Sequence, residues 1–131
     1  MVDALCKELI MRKEEATGSE LQTIYLGGGT PSILTYDELK QLFDTIYSYY
    51  KVSSTAEITI ECNPDDFFRL HTPEQLLQQL TSLGINRLSL GVQSFFEEDL
   101  RLMNRVHTTT QVTTLLPIAS QYFDNITIDL I

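Results

Sequence analysis

Thr23-Ile24-Tyr25-Leu26-Gly27-Gly28-Gly29-Thr30-Pro31-Ser32 is the stretch on which the fold turns. A short apolar strand runs into three glycines and then Thr-Pro-Ser. One glycine suffices for a tight turn. Three in succession let the backbone adopt φ > 0 without strain and approach a ligand closely. At the carboxyl end of a strand, such a run stands where α/β folds put their chemistry.

Helix and strand patterns alternate on both sides of this run. Val2, Leu5, Cys6, Leu9 and Ile10 recur at helical spacing, with Gly18 beyond the end of the pattern. Residues 22–26 read as a strand. Thr35 and Glu38 form a capping box, a hydroxyl and a carboxylate that satisfy free N–H groups at a helix start. The helix it opens carries Leu39, Leu42, Phe43, Ile46, Tyr47 and Tyr50 on one face.

Glu57–Cys62 alternates polar and apolar residues and reads as a second strand, ended by Asn63-Pro64-Asp65. Thr72-Pro73-Glu74-Gln75 is another capping box, with proline at the first helical position. Leu76, Leu77, Leu80 and Leu83 line that helix, and Gly84 closes it. Asn86–Val92 is the third strand. Ser94 and Glu97 are expected to cap a short helix carrying Leu100, Leu102 and Met103. Thr108 and Gln111 cap a further one, and Asp124–Ile131 is the last strand. Pro117 is expected to kink that last helix or end its first part.

Strands and helices repeating at this spacing imply about four parallel strands joined by right-handed crossovers. The fold class is therefore α/β, either part of a larger (β/α) barrel or a small open sheet. The chain starts directly on a helix and stops on a strand, so both ends read as cut.

Bulk composition narrows the function. The 131 residues suffice for one domain with its own core. With 43% hydrophobic and 21% charged residues the chain reads as globular. Eighteen acids against nine bases give a net charge of −9, which argues against nucleic acid and anionic membranes as partners. No apolar stretch approaches the roughly 20 residues of a membrane span. Met1-Val2-Asp3-Ala4 is neither a signal peptide nor a basic transit sequence, so a cytoplasmic location is expected. Cys6 and Cys62 read as small buried hydrophobes in a reducing compartment. His71 and His107 are too isolated to mark a metal cluster.

In a parallel barrel the carboxyl ends of the strands converge on one face. Here they carry Gly27 to Thr30, then Glu61-Cys62-Asn63-Pro64, then Gly91-Val92-Gln93-Ser94-Phe95, then Asp129. Asp129 lies between Ile128 and Leu130, and burying a charge there without a partner is costly. Each residue has a bland alternative. Asp129 could hydrogen-bond a loop, Glu61 could be an exposed carboxylate, Gln93 could cap a helix, and Arg105 and His107 could be ordinary surface. Their joint occurrence at successive strand ends points to a site.

GGGTPS (27–32), EITIECNP (57–64), NRLSLGVQSF (86–95), LMNRVHT (102–108) and NITIDLI (125–131) together resemble one family. It comprises the radical S-adenosylmethionine (SAM) proteins of the oxygen-independent coproporphyrinogen III oxidase group. The match runs from Val2 to Ile131. It implies that residues 1–131 are one domain, a fragment of a (β/α)6 partial TIM barrel truncated at both ends. It also implies SAM and a [4Fe–4S] cluster in the full-length parent. There three cysteines in a C-x3-C-x2-C motif bind the cluster, whose electron cleaves the S–C5′ bond of SAM to give a 5′-deoxyadenosyl radical.

By the same resemblance Gly28, Gly29 and Thr30 contact the methionine amino group. Glu61, Gln93, Arg105 and Asp129 complete the cofactor site, Arg105 as a guanidinium able to pair with a carboxylate. The C-x3-C-x2-C motif is absent, so the chain alone is expected to retain neither cofactor and to perform no radical chemistry. Met1 then reads as a start inside a longer protein. The family often has glycine before the aromatic residue that opens the last strand. Tyr122 stands there, so this loop is expected to differ, because a non-glycine residue in the left-handed region costs about 1 kcal/mol.

The resemblance implies a porphyrinogen or heme as partner, and an electron donor for the parent. Oxidases of the group decarboxylate two propionates, whereas a sister group handles heme. Glu61–Pro64, Gly91–Phe95 and Asn104–Thr108 lean to the sister. A different class stays open, a non-catalytic nucleotide- or phosphate-binding α/β domain using Gly27 to Gly29 as an anion nest. A purely structural barrel fragment is a third. Strand edges left by an incomplete barrel are expected to drive self-association or domain swapping.

Overall fold

The computed structural model of the chain describes residues 1–69 and 72–131, so His71 lies outside the described residues. Its elements are α1 (Val2–Arg12), β1 (Leu21–Leu26), α2 (Tyr36–Tyr49), β2 (Val52–Cys62), α3 (Asp66–Arg69), α4 (Pro73–Ser82), β3 (Arg87–Gln93), α5 (Glu97–Leu102), α6 (Thr109–Ala119) and β4 (Asn125–Leu130). Short 3-10 turns occupy Lys13–Ala16 and Pro31–Ile33. The strands form one parallel sheet in the order β1-β2-β3-β4, as the alternating pattern requires.

The chain divides into two compact units, residues Met1–Ile24 with Leu34–Glu57, and residues Tyr25–Ile33 with Ile58–Ile131. In the first, α1 packs on α2. Val2 and Cys6 are buried, as are Leu39, Leu42, Phe43 and Ile46. Gln41 Nε2 donates to Asp3 Oδ1 at 2.8 Å, and Tyr50 Oη–H to the Leu9 carbonyl at 2.7 Å. The capping box of Thr35 and Glu38 opens α2. Tyr47, expected on the buried face, stacks on Phe43 but stays 46% exposed.

In the second unit the capping boxes of Thr72 with Gln75 and Thr108 with Gln111 open α4 and α6, which pack on each other. Register fixes the faces of the sheet. Thr59 pairs with Arg87, Glu61 with Ser89, and Arg87 and Ser89 with Asn125 and Thr127. Side chains alternate along a strand, so these residues and Asp129 share one polar face. Ile58, Ile60, Cys62, Leu88, Leu90 and Val92 point the other way and are buried. The inner residues of α4 (Leu76, Leu77, Leu80) and of α6 (Val112, Leu115, Ala119) are buried too.

Three expectations need correction. β2 begins at Val52 rather than Glu57. Ser94 and Glu97 do not cap α5. Phe96 takes the N-cap position without a side-chain bond, while Ser94 Oγ–H donates to Asp99 at 2.7 Å. Glu97 reaches forward to accept from Thr109 N–H at 2.8 Å and Thr109 Oγ–H at 2.7 Å. Pro117 does not end α6, which runs on to Ala119, because a proline so near the end removes only one late bond of the ladder. Asp129 is exposed together with Ile128 and Leu130 on the outer strand β4, so the cost of burying its charge does not arise. The loop at Tyr122 does avoid the left-handed region, with Tyr122 and Phe123 N–H both donating to the Ala119 carbonyl.

Candidate functional site

The site grows from the turn after β1. Gly28 and Gly29 have φ of +79° and +136°, and a Cβ on either would meet nothing within 4 Å. Their requirement is conformational, and the space beside them is open. Gly27 is different. A Cβ there would lie 2.6 Å from Tyr25 Cε1 and 2.8 Å from Glu61 Cδ and Oε1, so this glycine makes room for side chains.

Those side chains are joined. Tyr25 Oη–H donates to Glu61 Oε1 at 2.7 Å, and Gly28 N–H donates to Glu61 Oε2 at 3.1 Å. Both oxygens of the carboxylate at the end of β2 are thus tied to the end of β1. The bond to Glu61 holds the Tyr25 phenol above its ordinary value, with burial and the Glu61 charge adding to the effect.

A second tie lies one step along. Asn63 Nδ2 donates to Thr30 Oγ1 at 3.2 Å. Ser32 Oγ–H and Asn63 N–H both donate to Asp66 Oδ2, the latter at 2.9 Å, and Asp66 is buried. The loops after β1 and β2 are therefore held as one piece.

At the end of β3, Gln93 adopts φ of +67°. Ser94 N–H donates to the Val92 carbonyl at 2.8 Å, closing a three-residue turn around it. A Cβ on Gly91 would lie 3.1 Å from Gln93 Nε2 and 3.2 Å from Asn63 Oδ1, so both amides flank Gly91. Asp129 on β4 is reached by Ser89 Oγ–H at 3.5 Å, the long limit of such a bond.

The structure thus joins Gly28 directly to Glu61, links Thr30 through Asn63, sets Gln93 beside Asn63, and leaves Asp129 at the margin through Ser89. Arg105 is half-buried, and its backbone N–H donates to the Leu100 carbonyl at 2.8 Å. No bond from its side chain to these groups is found among the described residues. Gly27 and Asn63 stand in the strand-end motifs and His107 in the loop after Asn104, but none of them, nor Tyr25, is assigned to the cofactor site from the sequence. His107, weighed as surface, is 3% exposed, and its Nε2 bonds the Val92 carbonyl at 2.9 Å.

The family model of the Radical SAM superfamily matches residues 4–131. The chain belongs to the radical SAM superfamily. It is 38% identical over 131 residues to the heme chaperone HemW of Bacillus subtilis, covering 98% of this chain and 33% of that protein. It is 33% identical over 131 residues to the oxygen-independent coproporphyrinogen III oxidase of Escherichia coli, covering 99% of this chain and 28% of that protein. Among solved structures, the radical SAM enzyme coproporphyrinogen III oxidase (HemN) from Escherichia coli superposes with a TM-score of 0.87 at 33% identity. That match covers 98% of this chain and 29% of the oxidase. The chain spans about a third of the length of the curated relatives it matches.

Full-length radical SAM proteins use SAM and a [4Fe–4S] cluster. The donor set here fits the first. SAM brings an ammonium, a carboxylate and a sulfonium, and the open turn at Gly28 and Gly29 stands against a pinned carboxylate. It does not fit the second. Such clusters are held by cysteine thiolates, and Cys6 and Cys62 are the only cysteines in the chain. Both are buried, and burial pushes the Cys62 thiol well above its usual value, away from the thiolate that ligation needs. Among the described residues, no three His, Cys, Asp or Glu side chains gather to hold a metal.

Proposed function

We propose that these residues supply the SAM-binding strand ends of a heme-handling radical SAM protein, within one partial barrel domain. The observation that carries the reading is the double tie of Glu61 to Tyr25 and Gly28. An anion nest needs its N–H groups free to face a phosphate. Here the Gly28 N–H is already given to the Glu61 carboxylate, and Asp129 brings a second negative charge to the strand ends. That arrangement repels phosphate and suits a ligand bearing an ammonium and a sulfonium. Gly28, Gly29 and Thr30 offer backbone carbonyls to the ammonium, and Glu61, Gln93 and Asp129 orient the rest of SAM. Arg105 pairs with the carboxylate. SAM bound in the complete protein supplies the radical precursor, and the residues here hold and orient it.

Binding of SAM to the full-length protein tests this reading. Glu61→Gln and Asp129→Asn should weaken it. Unchanged affinity in both would favour the phosphate-binding or purely structural alternative. The 131 residues alone should hold no cluster, and stoichiometric iron and sulfide after anaerobic reconstitution would refute that.

Within the group, the reading favours heme handling over decarboxylation. Gly91-Val92-Gln93-Ser94-Phe95 and Asn104-Arg105-Val106-His107-Thr108 support it. So does the identity of 38% to a heme chaperone against 33% to an oxidase. The full-length protein with reconstituted cluster, reductant, SAM and coproporphyrinogen III should return the porphyrinogen unchanged. Loss of two carboxyl groups, read by mass, would make the parent an oxidase. The outer strands β1 and β4 leave edges that favour self-association of this segment, and a sharp monomer peak in light scattering would count against it.

A further inference from the structure

We infer that His107 is a positioning residue that sets the aim of Gln93, acting through the Val92 carbonyl; the inference rests on the strand ends being the SAM site. Gln93 and Asn104 are the non-glycine residues with positive φ among the described residues. Asn tolerates that region better than most side chains, whereas Gln has no such allowance. Something must therefore hold Gln93 there.

The Val92 carbonyl does so with both lone pairs. One accepts Ser94 N–H at 2.8 Å and closes the turn. The other accepts His107 Nε2 at 2.9 Å. A carbonyl only accepts, so the imidazole proton sits on Nε2, a tautomer assigned from this network. Nδ1 then faces Asp65 Oδ1 at 3.8 Å, too far for a hydrogen bond.

The imidazole is itself anchored. His107 directly precedes Thr108, the N-cap of α6, whose capping box with Gln111 fixes the helix start. Glu97 grips Thr109 from α5. On the far side Ile131 N–H donates to the Gln93 carbonyl at 3.0 Å, and the β3–β4 register shifts between Leu90 and Gln93. With the backbone held at both ends, the Gln93 amide lies over Gly91, which Asn63 flanks as well, and Asn63 in turn bonds Thr30. Freed from His107, the turn can relax toward extended backbone, which swings this side chain off the polar face.

The test uses the full-length, cluster-reconstituted protein, with SAM affinity read by equilibrium binding and folding by thermal denaturation. His107→Leu should weaken SAM binding about tenfold, the size that one lost hydrogen bond of about 1.4 kcal/mol carries. His107→Gln keeps an N–H donor at the reach of Nε2 and should restore most of the affinity. Gln93→Ala should weaken binding too, and adding His107→Leu to it should cost little more affinity, whatever it does to stability. Should the leucine variant fail to fold, His107→Asn, whose amide is too short to reach Val92, takes its place. Full additivity of the two affinity losses, or unchanged affinity in His107→Leu or His107→Asn, overturns the inference. So does unchanged affinity in Gln93→Ala while Glu61→Gln still weakens binding. Unchanged affinity in Glu61→Gln and Gln93→Ala together would instead sink the SAM reading of the strand ends.

Discussion

Gly27→Ala separates the two jobs done by the glycine run. The new methyl would sit 2.6 Å from Tyr25 Cε1 and 2.8 Å from Glu61 Cδ and Oε1. To reach an ordinary contact of 3.4 Å, those side chains must retreat by about 0.6–0.8 Å. They can do so at the expense of a hydrogen bond, because Tyr25 is 59% exposed and both atoms belong to the far ends of side chains that can turn. The cost to folding is one exposed hydrogen bond of about 0.5–1.5 kcal/mol. It is offset by about 0.4–1 kcal/mol from stiffening the unfolded chain. Net stability should barely move.

Binding should move a great deal. A carboxylate displaced by more than about 0.5 Å falls outside the tolerance of a preorganised site. A lost charge-assisted bond of about 1.5–3 kcal/mol is roughly a 10- to 150-fold drop in SAM affinity. Gly28→Ala is the complementary control. Its Cβ meets nothing, but φ of +79° strains any other residue. It should cost about 1–2 kcal/mol of stability, the loss that Gly27→Ala avoids. Urea unfolding and equilibrium SAM binding on the full-length protein read both quantities. A Gly27→Ala protein that binds SAM like the parent would show that Glu61 need not sit where Tyr25 and Gly28 hold it.

Three further outcomes follow from other parts of the second unit. Asp66→Ala strips the acceptor from Ser32 Oγ–H and Asn63 N–H and should cost about 1.5–3 kcal/mol in urea unfolding; a loss under about 0.5 kcal/mol would mean the two loops are not held by it. Thr109 Oγ–H and N–H hold the Glu97 carboxyl below its ordinary value. A carboxyl depressed in the folded state stabilises above its unfolded pKa and loses that contribution as pH falls through the folded one. Glu97→Gln should therefore destabilise most at neutral pH, with the gap to the parent closing as acid is added; parallel stability curves would refute this. Cys62, buried with its thiol pushed up, should resist iodoacetamide at pH 8 in the native protein and react once urea unfolds it. Modification of the native form at the rate of a free thiol would show that the strand end opens.

What could be read from the sequence was local or periodic. Thr35, Thr72 and Thr108 announce helices through a contact three residues away, and all three capping boxes form. Residues 57–62 announce a strand by alternation. Val52 to Ala56 do not, because Ser53, Ser54 and Thr55 are polar in a row, so that half of β2 went unread. Ser94 and Glu97 have the spacing of a cap, yet Glu97 finds a better donor pair on Thr109, twelve residues on, which no local rule contains. The site divides in the same way. Strand-end positions such as Glu61 and Gln93 follow from the period of two and from the parallel topology. The groups that aim them do not. Gly27 matters because of the Glu61 carboxylate, which only the sheet brings near, and Tyr25 because its hydroxyl meets that carboxylate 36 residues away. His107 matters because a carbonyl 15 residues earlier has a lone pair left after closing a strained turn. A side chain that binds is marked by its type and its place on a strand. One that positions another is marked by a partner and a direction, and those exist only once the chain has folded.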